Sequence, residues 1–333
     1  MMHQRILRHH PVAWPHSPES PPLPPAVSGD LEIKVRQFVS DHAHKKPDDW
    51  PAIEAAADEL ETLLGGPGDK TFNRLFHRIL DEGQWSTAEA AAKSRGELEH
   101  PWVTVVGGVD GVRKLATLFQ PWWPEAVQSA LGVPEEFLEE HELDPMDAKT
   151  PKFGHPPSGR NSFIMPYDTI VATLTNALFI SLYRTNAPAA YLDLKAAIYE
   201  RYARLANIVG ALILKHAKSK RMNVIFLSPA TNKSPYNYVE HFFPGSYTSF
   251  YRKLTVYLDL DNISAAERTV RERLACEQED GRLAVDPELE IWEADMRILA
   301  NRGGPHGALK LSKMQASLLL FHPPCPDPLL LLS

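Results

Sequence analysis

The stretch "APAAYLDLKAAIYERYARLANIVGALILKHAKSKR", residues 187–221, decides the fold class. Tyr191, Leu194, Ile198, Tyr202, Leu205, Val209, Leu212 and His216 recur at steps of three and four. That is the period of an α-helix that buries one face. Its last turn gathers Lys215, Lys218, Lys220 and Arg221. A helix carboxyl end favours such cations without needing any partner for them.

Just before it lies "PYDTIVATLTNALFISLYR", residues 166–184, nearly apolar all round yet carrying Thr169, Thr173, Thr175 and Asn176. The run from Ile170 to Tyr183 is shorter than the roughly 18–20 apolar residues that cross a bilayer. The expectation is a buried helix and no membrane span. Pro166 and Asp168 mark its start, with Asp168 placed to cap the first amides. Ile170, Leu174, Leu178 and Leu182 make one stripe at i+4 spacing, with Phe179 and Ile180 off it. A second surface must therefore be covered, by a thick domain or by a neighbouring subunit.

More helices are expected toward the amino end. Residues 30–43 read as helix in preference to strand. Residues 48–66, "DDWPAIEAAADELETLLGG", open on Asp48 or Asp49 and stop at Gly65 and Gly66. In 69–83, Phe72, Leu75, Phe76 and Ile79 share a face, and in 86–96 Ser86 and Glu89 form a capping-box pattern. "PWVTVVGGVDGVRKLATLF", residues 101–119, reads as an extended piece, a glycine turn and a helix from Val109. Residues 121–145 give two short helices, interrupted at Pro134.

Toward the carboxyl end, "MNVIFLS" (222–228) and "LTVYLDLD" (254–261) are strand candidates, and 264–281 and 286–304 are helices. The sum is about nine helices and three short extended pieces, a mainly α fold. No strand and helix alternate at βαβ spacing, which disfavours a doubly wound sheet. Residues 1–29 are a Pro- and His-rich disordered arm, and 30–320 one helical globular domain. The loop 147–162 is a candidate sub-boundary, and 321–333 a Leu/Pro tail that reads as an appendage and not as the edge of a core.

The apolar share of 44% and charged share of 23% are those of a folded soluble chain. A net charge of −7 excludes a polybasic nucleic-acid binder as a whole and leaves a local basic face open. Cys276 and Cys325 are far apart, so no disulfide framework is expected. The start has no signal-like apolar run. The expected location is intracellular, in the cytoplasm.

The sharpest chemical candidate is "VYLDLDNIS", residues 256–264, where Asp259 and Asp261 follow a β-like run. Such a pair can hold Mg²⁺ for phosphoryl or glycosyl transfer. It looks like the first motif of haloacid-dehalogenase-like phosphatases or of some nucleases, families that place it at the start of an α/β domain. The structural alternative is a strand end with Asp261 or Asn262 capping the next helix. "VVGGVDGVRKL", residues 105–115, sets glycines between an apolar run and a helix, a turn able to present amides to phosphate. It lacks the Gly-x-Gly-x-x-Gly order and the Gly-Lys-Ser/Thr ending, so a plain turn is the competing reading.

The 14 histidines show no ligand spacing with either cysteine. "LSPATNKS" (227–234) lacks a nucleophile elbow. Lys215, Lys218, Lys220, Arg221, Lys233, Arg252 and Lys253 are candidate RNA contacts, with aromatics interleaved nearby in sequence. Tyr236, Phe242, Phe243, Tyr247 and Phe250 are candidates for self-association, and core packing is the alternative for them.

The Pro-rich arm, residues 161–206 and the aromatic loop 228–254 together are similar in style to coat proteins of small partitivirus-like double-stranded RNA viruses. The likeness covers residues 30–300 in layout, with no diagnostic motif. It implies a helical shell domain that dimerises and assembles around RNA, with no catalytic residue and no cofactor. Its partners would be copies of itself and RNA. The Leu/Pro tail fits instead a coat-protein gene captured by a host genome, which leaves a regulatory or adaptor role open. The other alternative is the Mg²⁺-dependent phosphoryl- or glycosyl-transfer enzyme using Asp259 and Asp261.

Overall fold

The computed structural model describes residues 29–96, 99–108, 112–131, 155–175, 188–228, 234–244, 251–259, 264–266, 268–270, 272 and 329–332. The fold is mainly α. It opens with α1 (Gly29–His42), α2 (Trp50–Leu64), α3 (Lys70–Glu82) and α4 (Trp85–Ser94). Then follow β1 (Trp102–Gly108), α5 (Lys114–Thr117), α6 (Trp123–Ala130), β2 (Ser162–Ile164) and α7 (Tyr167–Leu174). The chain continues through α8 (Pro188–Ser219), β3 (Asn223–Leu227), α9 (Ser234–Phe242), β4 (Arg252–Leu258) and β5 (Leu329–Leu332).

Local chemistry accounts for these elements. In α2, Asp49 accepts a hydrogen bond from the Ala52 amide, Pro51 occupies the first turn, and Gly65 ends the helix at φ 75°. The long periodic stretch becomes α8, 32 residues and so roughly 48 Å at 1.5 Å per residue. Leu205, Val209 and Leu212 are buried as the spacing required. Two expected caps are absent. Asp168 sits inside the first turn of α7, and Pro166 holds the cap position without a side-chain bond. Ser86 and Glu89 make no capping box, because α4 begins one residue earlier at Trp85 behind a left-handed Gln84. Glu89 instead pairs with Lys220 at 2.8 Å.

The five strands form one sheet in the order β2-β3-β1-β4-β5, and every neighbouring pair is parallel. This overturns the expectation against a doubly wound sheet. Along β1, Val103 and Val105 enter one apolar cluster while Trp102 and Val106 enter another. Alternation along a strand puts those clusters on opposite faces. The larger one packs under α2, α3, α4, α7, α8 and α9, with Phe72, Phe163, Ile208 and Leu212 fully enclosed. The smaller one packs under the α5–α6 segment around Trp123 and Leu118. Each such side chain fully buried stabilises by about 1.5–3 kcal/mol. Both faces covered is the usual setting for parallel strands.

Other expectations change as well. Leu329–Leu332 pairs with Thr255–Leu258 as an edge strand, so part of the Leu/Pro tail is sheet and not an appendage. Gly29 belongs to α1, and Ser162 begins β2. Of the 147–162 loop, residues 155–161 are tied to the α5–α6 segment: the Trp123 indole donates to Pro157 O at 2.8 Å and the Gly159 amide to Leu118 O at 2.9 Å. The helix expected from Val109 is a single turn, 114–117. Residues 1–28, 132–154, most of 264–281, and 286–304 lie outside the described residues, as do Cys276 and Cys325. Among the described residues, no helix is long and apolar enough to cross a membrane.

Candidate functional site

At the carboxyl end of the sheet, Gly107 lies beside Tyr257 and Gly108 beside Leu258. Gly108 has φ 147°, and a Cβ built there would stand 2.8 Å from the Leu258 carbonyl oxygen. Only glycine fits where the two strands end so close together. After Gly108 the next described residue is Val112. Arg113 then takes a left-handed conformation, φ 58° and ψ 39°. For a side chain with a Cβ this costs roughly 1–2 kcal/mol. Lys114 begins α5 and folds back, its ammonium donating to Gly108 O at 2.7 Å.

The neighbouring strands end at the same level. Ser228 follows β3, buried, with its amide donating to Val106 O at 2.9 Å. Asp259 follows β4 and is exposed. Burial, and then the Asp259 charge, push the Tyr257 phenol up to about 12, so it stays protonated at neutral pH. The chain leaves β1 toward the β2 side of the sheet and leaves β4 toward β5. The β1/β4 boundary is therefore a topological switch point, where open parallel sheets form their ligand crevice outside the strand carboxyl ends.

Two motifs that are far apart in the chain thus meet at adjacent strand ends. Residues 108–115 also follow the spacing of the strand–loop–Lys unit that cradles phosphates, Gly-x-x-x-x-Gly-Lys-Ser/Thr. Gly108 fills the first position and Lys114 the lysine. Arg113 replaces the second glycine and keeps a backbone that glycine adopts freely. Leu115 replaces the hydroxyl residue. In the sequence alone, the missing glycine and hydroxyl disguise this unit. The signal that could have found the site is the Gly108-to-Lys114 spacing behind a strand. Because α5 spans four residues, the site offers charge from Arg113 and Lys114 and little helix dipole.

The sheet begins at β1, so Asp259 ends a strand deep in its order. A dehalogenase-like first motif belongs at the start of such a domain. Asp261 and Lys233 lie outside the described residues. Among the described residues, no three His, Cys, Asp or Glu side chains come together to hold a metal ion.

The basic group is engaged within the chain. Lys215 donates to Asp58 at 2.6 Å and to Glu61 at 2.7 Å, Lys220 to Glu89, and Lys253 to Glu240 at 2.7 Å. The hydrogen bond to Asp58, then that to Glu61, raises the Lys215 pKa, while burial lowers that of Lys218. Lys218 donates to Phe242 O at 2.6 Å and lies over the Phe243 ring. Arg221 donates to Glu99 O at 2.7 Å, and Arg252 lies over the Trp102 ring.

Phe242 and Phe243 are core side chains, and Tyr236 packs against that core. Enclosed within its own chain, the Phe pair offers no surface to a second copy, which corrects the self-association reading for those two. Tyr247 and Phe250 lie outside the described residues. The described part of 166–184 is likewise covered from within, with Thr169, Ile170, Val171 and Ala172 buried.

Compared with known proteins, the chain matches no family model, no curated protein and no solved structure.

Proposed function

We propose that this chain binds a nucleoside polyphosphate at the carboxyl end of its sheet. One observation carries the reading: Lys114 folded over the Gly108 end of β1, next to Asp259 at the end of β4, at the switch point of a parallel sheet. Lysine there supplies charge to phosphate oxygens, and the glycine lets the backbone approach them. The same diphosphate chemistry serves phosphoryl and glycosyl donors.

The test is titration of the full chain with a fluorescent ADP or ATP analogue, with thermal stability followed in parallel. Saturable binding and a raised Tm are expected, since a ligand of the folded form alone stabilises it. Lys114→Ala is expected to weaken binding by about tenfold or more, as charge-assisted bonds are worth roughly 1.5–3 kcal/mol. A Tm unmoved by millimolar nucleotide would sink the proposal. A particle-sized species carrying RNA would favour the coat-like reading instead.

A further inference from the structure

We infer that Asp259 takes the ribose hydroxyls of the ligand, so that the site selects a ribonucleotide. The inference rests on the nucleotide reading above and assigns a part of the ligand to each strand end. Leu254, Val256 and Leu258 belong to the smaller cluster, on the side of α5 and α6. Alternation along β4 sends Lys253 and Tyr257 to the opposite face, that of α9. There the Lys253 ammonium donates to Glu240 of α9 at 2.7 Å. Asp259 ends that row, near enough for its charge to bear on the Tyr257 phenol. Lys114 belongs to α5, in the other layer, and reaches over the end of β1. A ligand held by both residues crosses the sheet end from one layer to the other.

Charge fixes its direction. The Lys114 ammonium attracts phosphate, and the Asp259 carboxylate repels it. The part of the ligand that meets Asp259 therefore carries hydrogen-bond donors. Gly108 pairs with Leu258, so Asp259 stands one residue on and one strand over. That separation is roughly 6 Å, comparable with the reach from a 5′-phosphate to the hydroxyls of its own ribose. A carboxylate can accept from both members of such a diol. An acidic residue near the phosphate turn of a parallel sheet plays this part in dinucleotide sites. The Tyr257 ring, half-buried on the same face, gives the sugar an apolar edge to lie on.

The experiment titrates ATP, 2′,3′-dideoxy-ATP and tripolyphosphate into the full chain, as wild type and as Asp259→Ala, in millimolar Mg²⁺ and again in EDTA. Asp259 is exposed, so the variant is expected to keep its Tm. Wild type is expected to bind ATP about tenfold or more tighter than dideoxy-ATP in both conditions, because bonds to a charged acceptor are lost with the hydroxyls. In Asp259→Ala that preference is expected to shrink to within about twofold, through weaker ATP binding alone. Tripolyphosphate has no sugar, and is expected to bind the variant as tightly as wild type or tighter, since a like charge is gone.

Equal wild-type affinities for ATP and dideoxy-ATP would overturn the inference while leaving the nucleotide reading in place. A preference that survives in Asp259→Ala would overturn it too, by giving the hydroxyls to another residue. If the variant weakens all three ligands alike, and only in Mg²⁺, Asp259 is a metal ligand and not the ribose acceptor. Binding of none of the three removes the nucleotide reading, and the inference with it.

Discussion

The two ends of the one sheet are built on opposite plans. At the amino end, Asn223 at the start of β3 accepts from the Trp102 amide at 2.9 Å and from Arg95 at 2.7 Å. Arg95 also donates to Arg221 O, and the Tyr251 hydroxyl donates to Met222 O at 2.8 Å. Three strands and α4 are locked together by polar groups that are largely buried. At the carboxyl end stand a left-handed arginine, an exposed Leu115 and an exposed Asp259. One end stabilises the fold. The other keeps strain and unlike charges side by side, as ligand sites do in parallel sheets.

The strongest way to break this contrast is Asn223→Ala. Asn223 is 1% exposed, and its loss takes the acceptor from the Trp102 amide and from one Arg95 nitrogen, the other still bonded to Arg221 O. Unsatisfied buried donors cost about 1–3 kcal/mol each, and more for charged ones. We expect about 3 kcal/mol of destabilisation in urea unfolding. A loss below about 1 kcal/mol would mean the amino end is not a lock.

Tyr251→Phe probes the same end more gently. It removes the bond to Met222 O, for about 1 kcal/mol at neutral pH. Burial raises the Tyr251 pKa above the ordinary phenol value of 10.0. The sign follows from linkage: the unfolded phenol ionises first, so this stability is whole below pH 10 and drains as pH rises beyond it. The wild-type chain is expected to lose stability above pH 10, and Tyr251→Phe to lose it less steeply, by about 1.4 kcal/mol per pH unit. Tyr167 and Tyr238 are also raised by burial, so the variant's slope is reduced and not abolished. Parallel slopes in the two proteins would show that Tyr251 ionises as freely folded as unfolded.

How much of this was legible in the sequence differs between the two layers. The helices on the larger face were, because Phe72, Phe76 and Ile79, or Leu205, Val209 and Leu212, carry their period locally. β1, β3 and β4 also declared themselves as short apolar runs. Their joining into one parallel sheet did not, because the connections from Gly108 to Ser162 and from Ile164 to Asn223 are far longer than a simple βαβ unit. β2 is three residues long and gives no period at all.

The candidate site was half visible. "VVGGVDGVRKL" and Asp259 each stood out, but strand order alone makes them neighbours, and no local pattern encodes strand order. The aromatics 236–243 misled in the other direction, since nothing local distinguishes a contact patch from the packing of Phe242 and Phe243 under α8.

Arg113→Gly sharpens the comparison from the carboxyl end, with the smallest expected effect and the opposite sign. Glycine accepts φ 58° without the roughly 1–2 kcal/mol an arginine bears there. It also enlarges the freedom of the unfolded chain, which takes back about 0.5–1 kcal/mol. The net expectation is a gain of about 0.5–1 kcal/mol in urea unfolding. The same change deletes one of two cations from the phosphate turn, so nucleotide affinity should fall while stability rises. A substitution at the amino end cannot produce that pairing, because there the residues that hold the fold face no ligand. A variant that gains stability and binds nucleotide undiminished would leave the strain at Arg113 without a functional cause, and the contrast between the two ends would rest on Lys114 and Asp259 alone.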